Sequence, residues 1–248
     1  MTKIALVTDL HANREAVEAV FAHARAQGAD KFAFLGDYVG YGADPAWVVD
    51  RMREFVSGGA VAVRGNHDEA VVRGSKPSMR ADARAVVDWT RSQLDEGQLE
   101  FLANLPYEVE VDDCLYVHAN AFAPPDWEYV QTRSDAVRSL HATGSRYTFC
   151  GHVHEPHLYH LGATGKAGEF VPMPEVPIPL PGFRRWLVIP GSCGQPRDGN
   201  PAACYAMFEP EEQRVTYHRV PYDHDGAAEK ILAAGLPERL AYRLKDGY

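Results

Sequence analysis

The sequence is poor in cysteine: Cys114, Cys150, Cys193 and Cys204 are widely spaced, and no two form a C-x-x-C pair. That excludes a dense disulfide framework, and because Cys114 and Cys150 lie in apolar, strand-like stretches, all four read as reduced, buried thiols of a cytoplasmic protein. Long hydrophobic runs are missing too. No stretch approaches the roughly eighteen apolar residues of a membrane span, and the start, "MTKIALVTDL", is too short for a signal sequence and meets Asp9 at once. Positive charge is in deficit, with 25 Lys and Arg against 34 Asp and Glu and a net charge of −9. Such a chain has no general pull toward nucleic acid or anionic lipid, so a phosphate substrate would need a local positive centre, for which bound cations are one source. There is no internal repeat and no linker rich in Gly, Ser or charge, which predicts a single domain over 1–248.

What is present is ordinary in bulk: 248 residues, 46% hydrophobic and 24% charged. A chain of this length can bury about three quarters of its unfolded surface, so neither metal nor disulfide is required merely to fold it. Along the chain, "KIALV" (3–7) is followed by a helical pattern in which Ala16, Val17, Val20, Phe21 and Ala24 share one face, with Asn13 as N-cap and Gly28 past the end. The pattern recurs in "KFAFL" (31–35) and a helix opened by Asp44 and Pro45, then in "AVAV" (60–63), a loop and a helical region from about 80 to 104. After Pro106 the rhythm changes. "YEVEV" and "LYVH" around "DDC" predict an antiparallel hairpin, a helix follows near 132–142, and "RYTFC" (146–150) is another strand. The remainder is mostly strand, with one helix near 226–234 and a proline-rich excursion (Pro172, Pro174, Pro177, Pro179, Pro181) that reads as a surface loop or a lid. The expected fold is α/β, a four-layer α/β/β/α sandwich with two facing mixed sheets.

In α/β folds ligands gather beyond the carboxyl ends of strands, and here those positions carry chemistry. The first strand is followed by Asp9 and His11, the second by Asp37, the third by Asn66, His67 and Asp68; the hairpin ends on His118, and "RYTFC" on His152 and His154. Each group alone could be a turn former or a satisfied histidine. Their coincidence at five strand ends carries the inference. Asp, His and Asn without cysteine form an N/O donor set suited to Mn, Fe or Zn, large enough for two divalent ions with open positions. Two ions sharing a carboxylate can bind a phosphoryl oxygen and acidify a water.

The ordered set D-x-H, G-D-x-x-G-Y-G, G-N-H-D, a lone His and G-H-x-H resembles the calcineurin-like metallophosphoesterases, from Asp9 to "PGSCGQPRDG". The resemblance implies that Asp9, His11, Asp37 and His154 hold one ion and Asp37, Asn66, His118 and His152 the other. It also implies attack by a metal-bridging hydroxide on a phosphodiester or nucleotide anhydride, with His67 facing the phosphate or leaving oxygen. Asp68 is expected to keep His67 cationic, the alternative being that it only caps the following turn. "GYGADP", Asn13 and "GQPRDG" resemble the small bacterial phosphodiesterases and diadenosine tetraphosphatase-like enzymes, which makes Asn13, Tyr41 and Arg197 candidate contacts for a small phosphate-ester or nucleotide substrate. Tyr41 could instead pack the glycine-rich loop, and Arg197 pair with Asp198. Ala12 stands where bacterial relatives often have glycine. His23, His141, His157, His160, His218 and His224 have no place in the donor set. Rival readings are a scaffold that has lost catalysis, disfavoured by the complete donor set, and a nuclease, disfavoured by the charge.

Overall fold

The computed structural model describes residues 1–77 and 79–248. Two mixed six-stranded sheets face each other. The first has β1 (Ile4–Val7), β2 (Lys31–Phe34) and β3 (Val61–Ala62) in parallel; β11 (Ala203–Glu209), β12 (Arg214–Val220) and β9 (Ile178–Pro179) extend it antiparallel from β1, in the order β3-β2-β1-β11-β12-β9. The second contains β4 (Glu108–Val111), β5 (Cys114–Val117), β6 (Tyr147–Phe149), β7 (His157–Gly162), β8 (Ala167–Phe170) and β10 (Arg184–Ile189), ordered β4-β5-β6-β10-β7-β8.

Strand alternation sorts the apolar residues into layers, because successive side chains point to opposite faces. Leu6, Ala33, Leu35, Ala206 and Phe208 meet Tyr116, Phe149, Leu158, Trp186 and Val188 of the other sheet. Their neighbours Ala5, Val7, Phe32, Phe34, Tyr205 and Met207 point the other way, onto α1 (Arg14–Ala26) and α2 (Pro45–Ser57) through Val17, Val20, Val48 and Met52. On the second sheet, Leu115, Val117, Tyr159, Leu187 and Ile189 pack under α6 (Arg133–His141) through Ala136 and Leu140. The result is the expected α/β/β/α stack. All four cysteines are buried and unpaired, and among the described residues no helix is long and apolar enough to cross a membrane.

Four local expectations change. The "GNHD" segment is not a loop but opens α3 (Asn66–Arg73). The single helical region at 80–104 is two helices, α4 (Ala81–Ser92) and α5 (Glu96–Asn104), because Asp95 and Gln98 form a reciprocal capping box that starts a new helix. After α7 (His224–Ala233) comes an unanticipated α8 (Glu238–Asp246), whose Leu240, Ala241 and Leu244 bury against Ala227, Ala228 and Ile231. The proline-rich excursion is tied down in its second half. Ile178–Pro179 pairs with the first residues of β12, which runs parallel to β1 through the intervening antiparallel β11, so this part lies level with the start of β1 and away from the end carrying Asp9. Buried Leu180 pins it there, its N–H donating to the Gln213 carbonyl and its carbonyl accepting from the Tyr147 hydroxyl.

Candidate metal centre

The loops beyond β1, β2 and β6 turn back sharply, and they do so through left-handed backbone: φ is +53° at Asp9, +47° at His11, +56° at Asp37, and +68° at both His152 and His154. Non-glycine residues rarely adopt this conformation, and each instance costs about 1–3 kcal/mol, so a cluster of them marks a site held by its surroundings. The holding is done by backbone: Asp9 N–H donates to the Gly36 carbonyl (3.1 Å), His11 N–H to Asp37 (2.9 Å), Gly151 N–H to His118 (2.8 Å) and Gly194 N–H to Asp9 (2.8 Å). Gly65 and Gly151 are required by close approach, since a Cβ on either would collide with the Asp37 carboxylate or with Thr8 and Asp9.

These turns aim the donors inward. Asp9, His11, Asp37 and His154 place one ligand atom each within 4.8 Å of one another, and Asp37, His118 and His152 form a second such group. All are buried. Asn66 joins the second group, its Oδ1 3.0 Å from His118 Nε2. Asp37 stands between the two, with Oδ2 3.8 Å from His11 Nε2 and 3.4 Å from His118 Nε2, while its Oδ1 accepts from the His67 N–H (2.8 Å).

The histidine tautomers follow from their outer partners. A carbonyl can only accept, so a ring nitrogen facing one must carry the hydrogen. His11 Nδ1 thus donates to Val39 (3.2 Å), His118 Nδ1 to Leu35 (2.7 Å), His154 Nδ1 to Gln195 (2.7 Å) and His152 Nε2 to Trp127 (3.0 Å). In the neutral rings the inner nitrogens are then lone pairs, yet His11 Nε2 lies 3.0 Å from His154 Nε2, and His118 Nε2 3.2 Å from His152 Nδ1. Facing lone pairs repel unless a cation or a proton sits among them. The donor set therefore fits metal ions, with the outer carbonyls acting as the orienting partners that metal-bound histidines need.

The electrostatics agree. Burial opposes the charge on Asp9 and Asp37, but the surrounding histidines outweigh it and hold both well below the usual carboxylate range. Burial, with the charge of a neighbouring histidine, drives His11 down and takes His152 to about 3. His118 alone goes up, to about 9, because the Asp37 carboxylate overcomes its burial.

The remaining candidates fare differently. His67 sits over the cluster, its ring 5.0 Å from that of His11 and 4.4 Å from that of Tyr41, and burial lowers its pKa. The expected His67–Asp68 dyad is not formed. Asp68 turns away and accepts from the backbone N–H groups of Gly65 and Asp37 (both 2.9 Å, Oδ2) and of Tyr38 and Val39 (2.9 and 3.3 Å, Oδ1), capping α3 and fixing the Asp37 turn. Asn13 is likewise no substrate contact: its Oδ1 accepts from Ala16 N–H as N-cap of α1, and its amide donates to the Gly194 carbonyl and the Tyr222 hydroxyl. Tyr41 does lie at the site, 4.6 Å from the His11 ring. The alternative pairing of Arg197 with Asp198 is absent. Arg197 donates to Gln195 Oε1 and lies 5.8 Å over Tyr41, whereas Asp198 pairs with Arg219.

Sequence reasoning missed the supporting loop at 120–129. Asn120 binds the N–H groups of Phe122 and Ala123 and the Glu128 carbonyl, which presents the Trp127 carbonyl to His152 and stacks Tyr129 on that ring at 4.0 Å. The Asn in "VHAN" was its only signal.

Residues 2–213 match the calcineurin-like phosphoesterase superfamily domain. The chain belongs to that superfamily, whose members are metal-dependent phosphoesterases, and its buried Asp and His groups could bind metal ions. It is 34% identical over 246 residues to an uncharacterized protein of Methanocaldococcus jannaschii, covering 97% of this chain and 96% of the relative. A metallophosphoesterase from Sphaerobacter thermophilus superposes with a TM-score of 0.88 at 35% identity over 100% of this chain and 99% of that one. A hypothetical protein from Pyrococcus horikoshii shares the fold, with a TM-score of 0.79 at 20% identity over 100% and 99%.

Proposed function

We propose that the protein is a dinuclear-metal-dependent phosphoesterase acting on phosphodiester or nucleotide anhydride bonds. The observation that carries this is the convergence of inner imidazole nitrogens, His11 against His154 and His118 against His152, on either side of the shared Asp37 carboxylate. Asp9, His11, Asp37 and His154 would hold one ion and Asp37, Asn66, His118 and His152 the other; Mn, Fe and Zn all suit donors that include no thiolate. Bound there, such ions supply Lewis-acid polarisation of a phosphoryl oxygen and a water of lowered pKa.

The chain does the positioning. The outer carbonyls lock the tautomers, and Asp68 keeps the Asp37 turn rigid. His67, half-buried and with its pKa lowered by desolvation, would offer a ring N–H toward the phosphoryl or leaving oxygen without a carboxylate behind it, and Tyr41 and Arg197 line the same side. The four buried thiols support a reducing compartment, the cytoplasm.

Hydrolysis of bis(4-nitrophenyl) phosphate with added Mn²⁺ tests the reading. Wild type should be active and Asp37→Asn should lose on the order of a hundredfold or more in kcat/KM; an inert wild type, or an Asp37→Asn variant that remains fully active, would overturn it. Metal analysis of the purified protein separates this reading from a scaffold, which should hold substoichiometric metal.

A further inference from the structure

Gln195 is almost fully buried, 1% exposed, and its backbone and side chain serve different neighbours. The backbone belongs to the donor set: its carbonyl accepts from His154 Nδ1 (2.7 Å), and its N–H donates to Ser192 Oγ (2.8 Å), whose hydroxyl donates to the Asp9 carbonyl (2.9 Å). The side chain faces elsewhere. Oε1 accepts from Nη2 (3.0 Å) and Nε (3.4 Å) of Arg197, one edge of the guanidinium fork, and among the described residues no other acceptor takes a hydrogen bond from that guanidinium. Arg197 is tied to the same place through its backbone, its N–H donating to the His154 carbonyl (3.3 Å). Its guanidinium lies 5.8 Å over the Tyr41 ring, which is 4.6 Å from the ring of His11 and 4.4 Å from that of His67.

Two features set this contact apart from ordinary packing. The first is a cost. A guanidinium can only donate, so the amide must turn its oxygen toward Arg197, and its Nε2 is left buried with no acceptor among the described residues. Interior polar groups rarely stay unsatisfied, because each lost bond is destabilising. The second is charge. A carboxylate would hold the guanidinium more strongly than an amide does, but it would also cancel it. The nearest carboxylate in the sequence, that of Asp198, is diverted to Arg219, and Arg197 forms no ion pair among the described residues. An amide acceptor therefore fixes the position of the cation and leaves its charge available, in a chain whose net charge is −9.

We infer that Gln195 is a positioning residue: its neutral side-chain oxygen holds Arg197, uncompensated and with the outer edge of its fork free, over Tyr41 beside the donor cluster, where the cation draws in an anionic phosphoryl group. This rests on the phosphoesterase reading and deepens it. Side-chain changes at Gln195 act on substrate binding and leave the metal ligands alone, because the contacts to His154 and Ser192 are made by backbone that any residue keeps.

The test compares Gln195→Glu, Gln195→Met, Arg197→Ala and the Gln195→Met/Arg197→Ala double variant in Mn²⁺-loaded protein. It reads kcat and KM for bis(4-nitrophenyl) phosphate, the affinity for inorganic phosphate by calorimetry, bound metal and melting temperature. Gln195→Glu keeps the shape and sets a negative charge on Arg197; it should raise KM and weaken phosphate binding about tenfold, with kcat within about twofold and metal content unchanged. Gln195→Met removes the acceptor and the orphaned donor together, so it should weaken phosphate binding about threefold while melting no lower than wild type. The double variant should match Arg197→Ala, because Gln195 acts only through Arg197. Wild-type KM and phosphate affinity in Gln195→Glu, additive losses in the double variant, or lost metal, lost kcat or a lower melting temperature in Gln195→Met would each sink the positioning role. If the wild type cleaves no diester yet phosphate affinity falls across the variants in the expected order, the phosphoesterase reading alone is overturned.

Discussion

The two donor groups share Asp37 but are not equivalent. The first adds a second carboxylate, Asp9, to two histidines, and His11 is held neutral by burial. The second adds only the neutral amide of Asn66, and Asp37 holds a proton on His118 up to about 9. One group sets two carboxylates beside a His11 held neutral; the other presents a shared charge already answered by a proton. Sites built from similar residue types within one cleft can therefore differ in affinity and in pH response, because a ligand proton competes with the metal.

Breaking the shared element should have the largest effect. Asp37→Asn is expected to empty both groups, whereas His118→Ala should lose only the second ion and leave about one metal per chain by elemental analysis. Equal losses from the two variants would show that the groups act as one site.

The pH response comes next. The folded-state pKa of His118 is raised from 6.5 to about 9, so in metal-free protein its contribution is fully present below about pH 6.5 and is lost as pH rises through 9. Thermal melts of metal-free protein should fall across that window, and added Mn²⁺ should flatten the fall while binding more tightly as the proton leaves. A His118→Gln variant should show neither trend.

Asp68→Asn separates support from chemistry. An amide side chain has one acceptor oxygen where the carboxylate has two, so some of the four backbone N–H groups lose their partner, at about 1–3 kcal/mol for each buried orphan. A lower melting temperature with metal content preserved is expected. Unchanged stability with lost activity would revive the dyad. The smallest effect should come from Ala12→Gly, beside His11. Ala12 has φ of +50°, and glycine there should gain about 1 kcal/mol in stability without changing either metal affinity.

The layers and the strand ends were legible because both depend on strong local signals: alternation sorts Leu6 from Ala5 and Val7, and Asp or His directly after an apolar run stands out. The division of the donors between two groups came from the family resemblance and not from spacing. The structure brings those residues together in the same two sets. What was not legible depends on backbone. The carbonyls of Leu35, Val39, Trp127 and Gln195 orient the histidines, and carbonyls carry no residue signature. Asn13 does cap α1 and Asp68 does cap its turn, as the sequence allowed, but the substrate role of the one and the dyad role of the other find no support for the same reason: their side chains are also consumed by N–H groups or carbonyls that only the folded turns bring within reach. Helix α8 lay hidden because its apolar stripe is only three residues, Leu240, Ala241 and Leu244, and its partners are on α7 and α4.

The proline-rich strap has a consequence for solubility. An uncovered β12 would offer a ladder of free N–H and carbonyl groups to any passing strand, a template for intermolecular pairing. The strap occupies part of that ladder from within the chain, and its paired segment carries Pro179, which has no N–H to donate to a further strand. Over that stretch the sheet thus ends in a segment that offers another copy little to extend.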